Sequence, residues 1–371
     1  MFWLFFSLFS ILFAYLASED NVLIKDRKIQ TLSKILLVIT LSYPIGFGGE
    51  NYVDHEGYVD YYNNVRFQLL SFNDVGFNLF SERTFGMEFG YSLLNKICYT
   101  LGFDSIGFLF IIALITNSLF VSFIFRFKYP AFNILVFITS GIYWQECNLI
   151  RQMLAVAIFC YSLKFLINGK IVKYISLILC ASLIHTSALL LLIFCIFSYI
   201  DIEKHYKKIF VSLLIFWFFS IFVSSGLLSF NLSSFGFLDY YSNYLVNTNR
   251  VGLNDIHLYS FFYNICLFLF FLFFDKSKFG KYYIYTILFV LGGVFTNFSV
   301  AIPNFYRFSL YFSITNVIML PTFLKQMARP KWNYFSNVSL VALTIYFFSR
   351  IVVRIISNDN PITNSLNEIF I

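Results

Sequence analysis

Apolar residues gather in eleven long runs, at about 2–18, 35–48, 104–125, 130–146, 148–168, 174–199, 209–225, 256–274, 282–299, 307–325 and 334–350, with most of the charge between them. A helical run of about 20 apolar residues matches the hydrocarbon thickness of a bilayer, and in lipid only helices and closed barrels satisfy their own backbone. The pattern predicts an all-α fold: a polytopic helical membrane protein, with residues 1–371 forming one integral membrane domain. Two segments outside the runs are long enough to build on, 49–103 and 226–255. Phe2 to Ala17 lacks a basic n-region and a small-x-small cleavage site, so it reads as a first span rather than a signal peptide.

The connections sort by charge. Short ones carry Lys25/Arg27/Lys28/Lys34, Arg126/Lys128, Lys164/Lys170/Lys173, Lys204/Lys207/Lys208, Lys276/Lys278/Lys281 and Lys325/Arg329/Lys331, which is 18 of the 26 basic residues. The positive-inside rule makes these cytoplasmic. The other eight are Arg66, Arg83, Lys96, Arg151, Arg250, Arg307, Arg350 and Arg354, and all but one are Arg. Arg offers a planar fork suited to phosphate or carboxylate, whereas Lys is a hydrated point charge, so the outward side reads as chemically specialised.

One run breaks the alternation, because basic clusters of the cytoplasmic class flank 174–199 on both sides. Residues 171–200 as a single helix would be about 45 Å long against a core of about 30 Å. The charges point to a broken-helix hairpin with a rising half at 174–184, an apex at His185–Thr186–Ser187 and a descending half at 188–199; a single tilted span is the alternative. The layout is then about ten full spans plus the hairpin, with both termini outside.

Composition narrows the class. Hydrophobic residues make up 59% of the chain and charged ones 12%, about half the share of an average soluble domain, which excludes a cytosolic enzyme, a secreted disulfide module and a disordered chain. The net charge of +7 follows from the cytoplasmic loops and does not imply nucleic acid. Neither the six cysteines nor the four histidines stand at zinc spacings, and no P-loop, dinucleotide fingerprint, H-E-x-x-H or G-x-S-x-G is present, so no metal and no cofactor is expected.

The outward segments carry the candidate chemistry. Segment 49–103 mixes carboxylates with tyrosines, and a helix there would align Asp54, Tyr58 and Tyr62 on one face. Carboxylates beside ring faces suit a sugar; a solvated acidic loop with interfacial tyrosines is the plain alternative. Phe85 to Tyr91 leads into Ser92–Leu101, too short to span, which reads as an interfacial helix with Glu88 at its positive end. Arg151, in Asn148-Leu149-Ile150-Arg151-Gln152, falls in the first turn of a span, where a charge is expensive unless it is paired or working, and helix-start amides beside it suggest a phosphate seat. Arg307 repeats the arrangement, and two such Arg could clamp one diphosphate. His185 interrupts an apolar stretch, and an imidazole at a wet apex can take up a proton near neutral pH; a hydrogen-bonded packing histidine is the other reading.

Asp54-x-x-x-Tyr58-x-x-x-Tyr62, Glu88-x-Gly90-Tyr91, Asn148-x-x-Arg151-Gln152-x-x-Ala155, Lys173-Tyr174 through His185-x-Ser187-Ala188 and Arg307-x-x-x-Tyr311 occur in that order. Together they resemble the EpsG-like, Wzy-type polymerases of bacterial surface polysaccharides, over about residues 40 to 325. Where members often have Glu-Pro-Gly-Phe, this chain has Glu88-Phe89-Gly90-Tyr91. The resemblance implies a metal- and nucleotide-independent glycosyltransferase of the bacterial inner membrane. It would join undecaprenyl-diphosphate-linked oligosaccharides, as donor and acceptor, at the periplasmic face, beside a flippase and a chain-length regulator. In that frame Arg151 and Arg307 hold the diphosphate. His185, Asp54 and Glu88 are the candidate bases, with His185 preferred and Asp54 orienting the acceptor. Tyr58, Tyr62, Tyr91, Asn148, Gln152, Tyr240, Tyr241, Arg250 and Tyr311 would contact the glycan. An O-antigen ligase-like transferase is the nearest rival, and a transporter of the lipid-linked sugar stands further off.

Overall fold

The computed structural model describes residues 2–19, 25–47, 54–68, 87–200, 202–225, 253–275, 279–302 and 305–323. Among them the chain is helical with no strand, as the apolar runs require: α1 (Phe2–Leu16), α2 (Arg27–Phe47), α3 (His55–Gln68), α4 (Phe89–Thr100), α5 (Ser105–Ile124), α6 (Pro130–Thr139), α7 (Ile142–Asn148), α8 (Ile150–Ile167), α9 (Ile171–Ile184), a 3₁₀ helix (Thr186–Ser198), α10 (Ile202–Ser224), α11 (Leu253–Phe273), α12 (Phe279–Ala301), α13 (Phe305–Ser313) and α14 (Asn316–Thr322). This is a helical membrane protein, but the helices do not give a count of about ten spans. Among the described residues five helical segments are long and apolar enough to cross a bilayer, Arg27–Phe47, Ser105–Ile124, Ile150–Ile167, Lys204–Ser224 and Tyr282–Ala301, and Leu4–Leu16, Pro130–Thr139, Ile171–Ile184, Thr186–Ser198 and Tyr259–Phe273 are shorter apolar segments. Two of the expected single spans are broken. Run 130–146 divides into α6 and α7 at Gly141, whose φ of 87° interrupts a right-handed helix. Run 307–325 divides at Ile314–Thr315, where the Thr315 hydroxyl donates to the Phe312 carbonyl at 2.6 Å, a local bond that competes with the helical ladder. The run at 334–350 lies outside the described residues.

The chain forms two compact units, the first holding α1 to α9 with the 3₁₀ helix and the second α10 to α14. In the first, α5 packs on α2 and α8, and α8 packs on α9 and the 3₁₀ helix. Asp104 caps α5 by accepting from the Gly107 amide at 2.7 Å, which fixes where that helix begins. The basic loops of this unit meet at one end: Lys34 lies over the Phe125 ring at 4.9 Å, Arg126 and Lys164 over Tyr161 at 5.4 and 3.5 Å, and Lys173 over Phe165 at 5.9 Å. Arg151 opens α8 at the far end, about 20 Å away by helix rise.

The expected hairpin is present. Helix α9 stops at Ile184, His185 is extended (φ −150°, ψ 110°), and the 3₁₀ helix follows. The Tyr174 hydroxyl donates to the Leu191 carbonyl at 2.7 Å, although the two are 17 residues apart. A straight helix would separate them by about 25 Å, beyond the reach of a tyrosine, so the chain doubles back at His185.

In the second unit α12 packs on α10, α11 and α13. The Tyr263 hydroxyl donates to the Phe289 carbonyl at 2.8 Å, and the missing side chain at Gly292 leaves room for that hydroxyl.

Candidate functional site

The break at His185 supplies one wall of the site and α4 supplies the other. Gly90 faces the chain just before the break, and a Cβ on it would lie 2.7 Å from the Leu183 carbonyl oxygen. Without that Cβ, α4 rests backbone to backbone on the end of α9, and Glu88, just ahead of α4, is carried to the break. Glu88 is extended (φ −72°, ψ 149°) and its carboxylate does not cap its own helix. The helix-dipole explanation for an acid at this position therefore does not account for where the side chain goes.

Both carboxylate oxygens leave the helix for other elements. Oε2 accepts from Arg151 Nη1. Oε1 lies 3.2 Å from His185 Nδ1 and 3.4 Å from the Thr186 amide. A carboxylate only accepts, so Nδ1 donates in this pair, and in the neutral imidazole the lone pair is then on Nε2. The Glu88 side chain is 5% exposed, whereas Arg151 and His185 are 20% and 21% exposed, so the acid is sealed and its two partners reach the surface. Burial by itself would raise the Glu88 carboxyl; the His185 hydrogen bond and the Arg151 charge outweigh it and hold the group at about 2.

Arg151 turns inward rather than toward lipid. Besides Glu88 it has Tyr58 as a hydrogen-bonding neighbour, and its guanidinium carbon stands 5.7 Å from the centre of the Tyr91 ring. Its Nε is buried with no hydrogen-bond partner. A buried charged N–H left unpaired is costly and marks a place where something can bind. Helix α7 runs into α8 through Leu149, whose amide donates to Gln145 O at 2.7 Å and whose carbonyl accepts from Met153 N at 2.8 Å. The guanidinium is the charged group at this helix start that could meet an anion.

The tyrosines are turned inward, into packing. Tyr58, Tyr62 and Tyr91 are buried in one cluster with Tyr61 and Phe108. Tyr62 spends its hydroxyl on the Phe103 carbonyl at 2.6 Å and stacks on Phe108 at 4.9 Å; Tyr61 and Ser92 share a 2.6 Å bond. They form the floor under Arg151 rather than open ring faces for a sugar. Asp54 precedes α3, half-buried and outside the ion cluster, with its backbone carbonyl accepting from Tyr58. Asn148 and Gln152 flank Arg151 and are buried. Arg307 and Tyr311 lie on α13 of the second unit, the first half-buried and the second buried. Tyr240, Tyr241 and Arg250 lie outside the described residues.

Sequence reasoning passed over Glu146. It is 1% exposed on α7; one oxygen accepts from Asn117 Nδ2 at 3.1 Å and the other has no partner. The signal was an acidic residue at the end of an apolar run, where any ionisable group merits a functional hypothesis.

The sequence model of the EpsG family matches residues 31–363. The chain belongs to the EpsG family. Membership points to a polymerase-like, glycosyltransferase-like role in polysaccharide biosynthesis, and the ion cluster of this EpsG family protein lies within the matched region. No curated protein and no solved structure matches the chain. Among the described residues no group of three metal-ligating side chains comes together.

Proposed function

We propose that this protein joins lipid-diphosphate-linked oligosaccharide repeat units, as the polymerase of a bacterial surface polysaccharide. One observation carries the reading: an inward-turned Arg151 keeps a buried, unpartnered Nε while it shares the Glu88 carboxylate with His185. The acceptor's hydroxyl oxygen attacks the anomeric carbon of the donor glycan. The bond from that carbon to the diphosphate oxygen breaks, and the lipid diphosphate leaves with the electron pair. His185 Nε2 takes the hydroxyl proton, and Arg151 meets the charge that grows on the leaving group. Glu88 is a poor base at about 2, so of the three candidates His185 takes that role and Asp54 the orientation of the acceptor sugar. Arg307 stays a candidate diphosphate ligand on its chemistry alone.

The wider reading goes with it: undecaprenyl as the lipid, donor and acceptor both lipid-linked, a bacterial inner membrane crossed about ten times, a periplasm-facing site, and a flippase and chain-length regulator as companions. The test uses purified protein and a lipid-linked repeat unit, with neither metal nor nucleotide added and product length read on a gel. A ladder from wild type and none from Arg151→Lys is expected. No ladder from wild type, or a full one from Arg151→Lys, overturns the assignment. Arg307→Lys is the parallel test for the second unit.

A further inference from the structure

The cluster holds one carboxylate between Arg151 and His185, the two groups on which the proposed reaction depends. Glu88 Oε2 is on Arg151; Oε1 is on His185 and, more distantly, on the Thr186 amide. The acid is almost sealed from water, so its negative charge has few other places to be neutralised. A diphosphate competes for the same guanidinium on better terms, with more anionic oxygens and a geometry that suits the Arg fork, and Arg151 Nε is already waiting without a partner.

We infer that Glu88 is a positioning residue that couples donor binding to base function: an arriving diphosphate draws Arg151 away from the carboxylate and leaves that carboxylate to His185. Before the donor arrives, Arg151 neutralises Glu88 and His185 has only a share of it. Once Arg151 turns to the diphosphate, the sealed carboxylate is neutralised best by an imidazolium, which forms when His185 Nε2 accepts the acceptor's proton. The proton then has a favoured destination only while a donor is in place. This inference rests on the reading of Arg151 and His185 given above.

It makes a prediction of opposite signs that a merely structural glutamate does not. Glu88→Gln removes the competitor for Arg151, so the variant binds diphosphate more tightly while turning over more slowly. The probe is inorganic pyrophosphate, titrated calorimetrically into the purified full-length protein near neutral pH. Wild type binds it, Arg151→Gln does not, and Glu88→Gln binds on the order of 10-fold more tightly than wild type. With the lipid-linked substrate, Glu88→Gln lowers the donor KM and lowers kcat about 100-fold. If Glu88→Gln does not yield folded protein, Glu88→Asp replaces it; the shorter acid loosens the contact with Arg151, and the same signs hold with smaller factors. Wild-type binding of pyrophosphate with equal or weaker binding by the Glu88 variants overturns the coupling and leaves the diphosphate role of Arg151 standing. No binding by any form overturns both.

Discussion

The two units each bury a cluster of polar side chains among apolar helices, and the clusters are built in opposite ways. In the second unit Asn297 Nδ2 donates to Ser220 at 2.8 Å and to Asn264 Oδ1 at 3.0 Å, and Asn297 Oδ1 accepts from Ser260 at 2.6 Å and Asn264 Nδ2 at 2.8 Å. Trp217 closes the network with a 2.7 Å bond to Asn264. Every member is neutral, and the two amides of Asn297 and Asn264 meet head to head. Such a network ties α10, α11 and α12 together and asks nothing of a ligand. The first unit gathers a carboxylate, a guanidinium and an imidazole, leaves the guanidinium short of one partner, and lets the guanidinium and the imidazole reach the surface. Polar residues inside a membrane protein therefore divide by whether they are finished. A satisfied network is structure, and an unfinished charged one is a site.

Substitutions break or sharpen that contrast, and the largest effect belongs to Arg151. Arg151→Lys keeps the charge and loses the fork, and polymer formation should fall by about 100- to 1,000-fold with protein level unchanged. Ladder intensity per unit of purified protein measures it. The next effect is in pH. The Glu88 group sits at about 2 in the folded chain against an ordinary 4.5, so it contributes stability that is fully present above 4.5 and is lost as pH falls toward 2. The span corresponds to about 3 kcal/mol, and Glu88→Gln should remove that dependence from the acid limb of a thermal-unfolding series. An unchanged acid limb in the variant would mean that the carboxylate is not held by its two partners.

Much of this was legible along the chain. Apolar runs located the helices, the Lys bands anticipated an end of the first unit where Lys34, Arg126, Lys164 and Lys173 collect, and flanking charge together with the length of run 174–199 pointed to a break at His185–Thr186–Ser187. The ion cluster was legible only as a set of suspects. Glu88 stands 63 residues from Arg151 and 97 from His185, separations at which no periodicity carries information. The breaks at Gly141 and Thr315 were hidden because apolar content reports burial and not helix continuity. The i, i+4 spacing of Tyr58 and Tyr62 was read correctly as one face, but Phe103 and Phe108, which take Tyr62 into the core, belong to a later segment. Glu146 was visible and passed over because its partner, Asn117, is on another helix.

Gly90 links the fold to the cluster and comes next in size. Gly90→Ala places a Cβ 2.7 Å from a backbone oxygen, Leu183 O, which cannot swing aside as a side-chain tip does. Helix α4 must back off by several tenths of an ångström, and the 3.2 Å contact between Glu88 and His185 moves toward the limit of a hydrogen bond. A loss of about 10-fold in turnover is expected, with the helical content of the purified protein unchanged. Wild-type turnover in Gly90→Ala would separate the helix contact from the chemistry.

The smallest effect tests the other half of the contrast. Asn297→Ala takes one hydrogen bond from each of Ser220 and Ser260 and two from Asn264, while Ser220 keeps the Trp217 carbonyl and Asn264 keeps Trp217 Nε1, in helices that also meet through aromatic packing such as Trp217 on Phe271 at 5.3 Å. Hydrogen bonds between membrane helices contribute modestly, because the separated helices find other partners, so the expected loss is about 1 kcal/mol of stability. It should appear as a lower unfolding temperature in detergent, while turnover per folded molecule stays near wild type at permissive temperature. A closed neutral network can be weakened without touching the reaction, because no member of it waits for a substrate. If Asn297→Ala instead removed turnover as completely as Arg151→Lys while the protein stayed folded, satisfaction of hydrogen bonds would no longer tell structure from site.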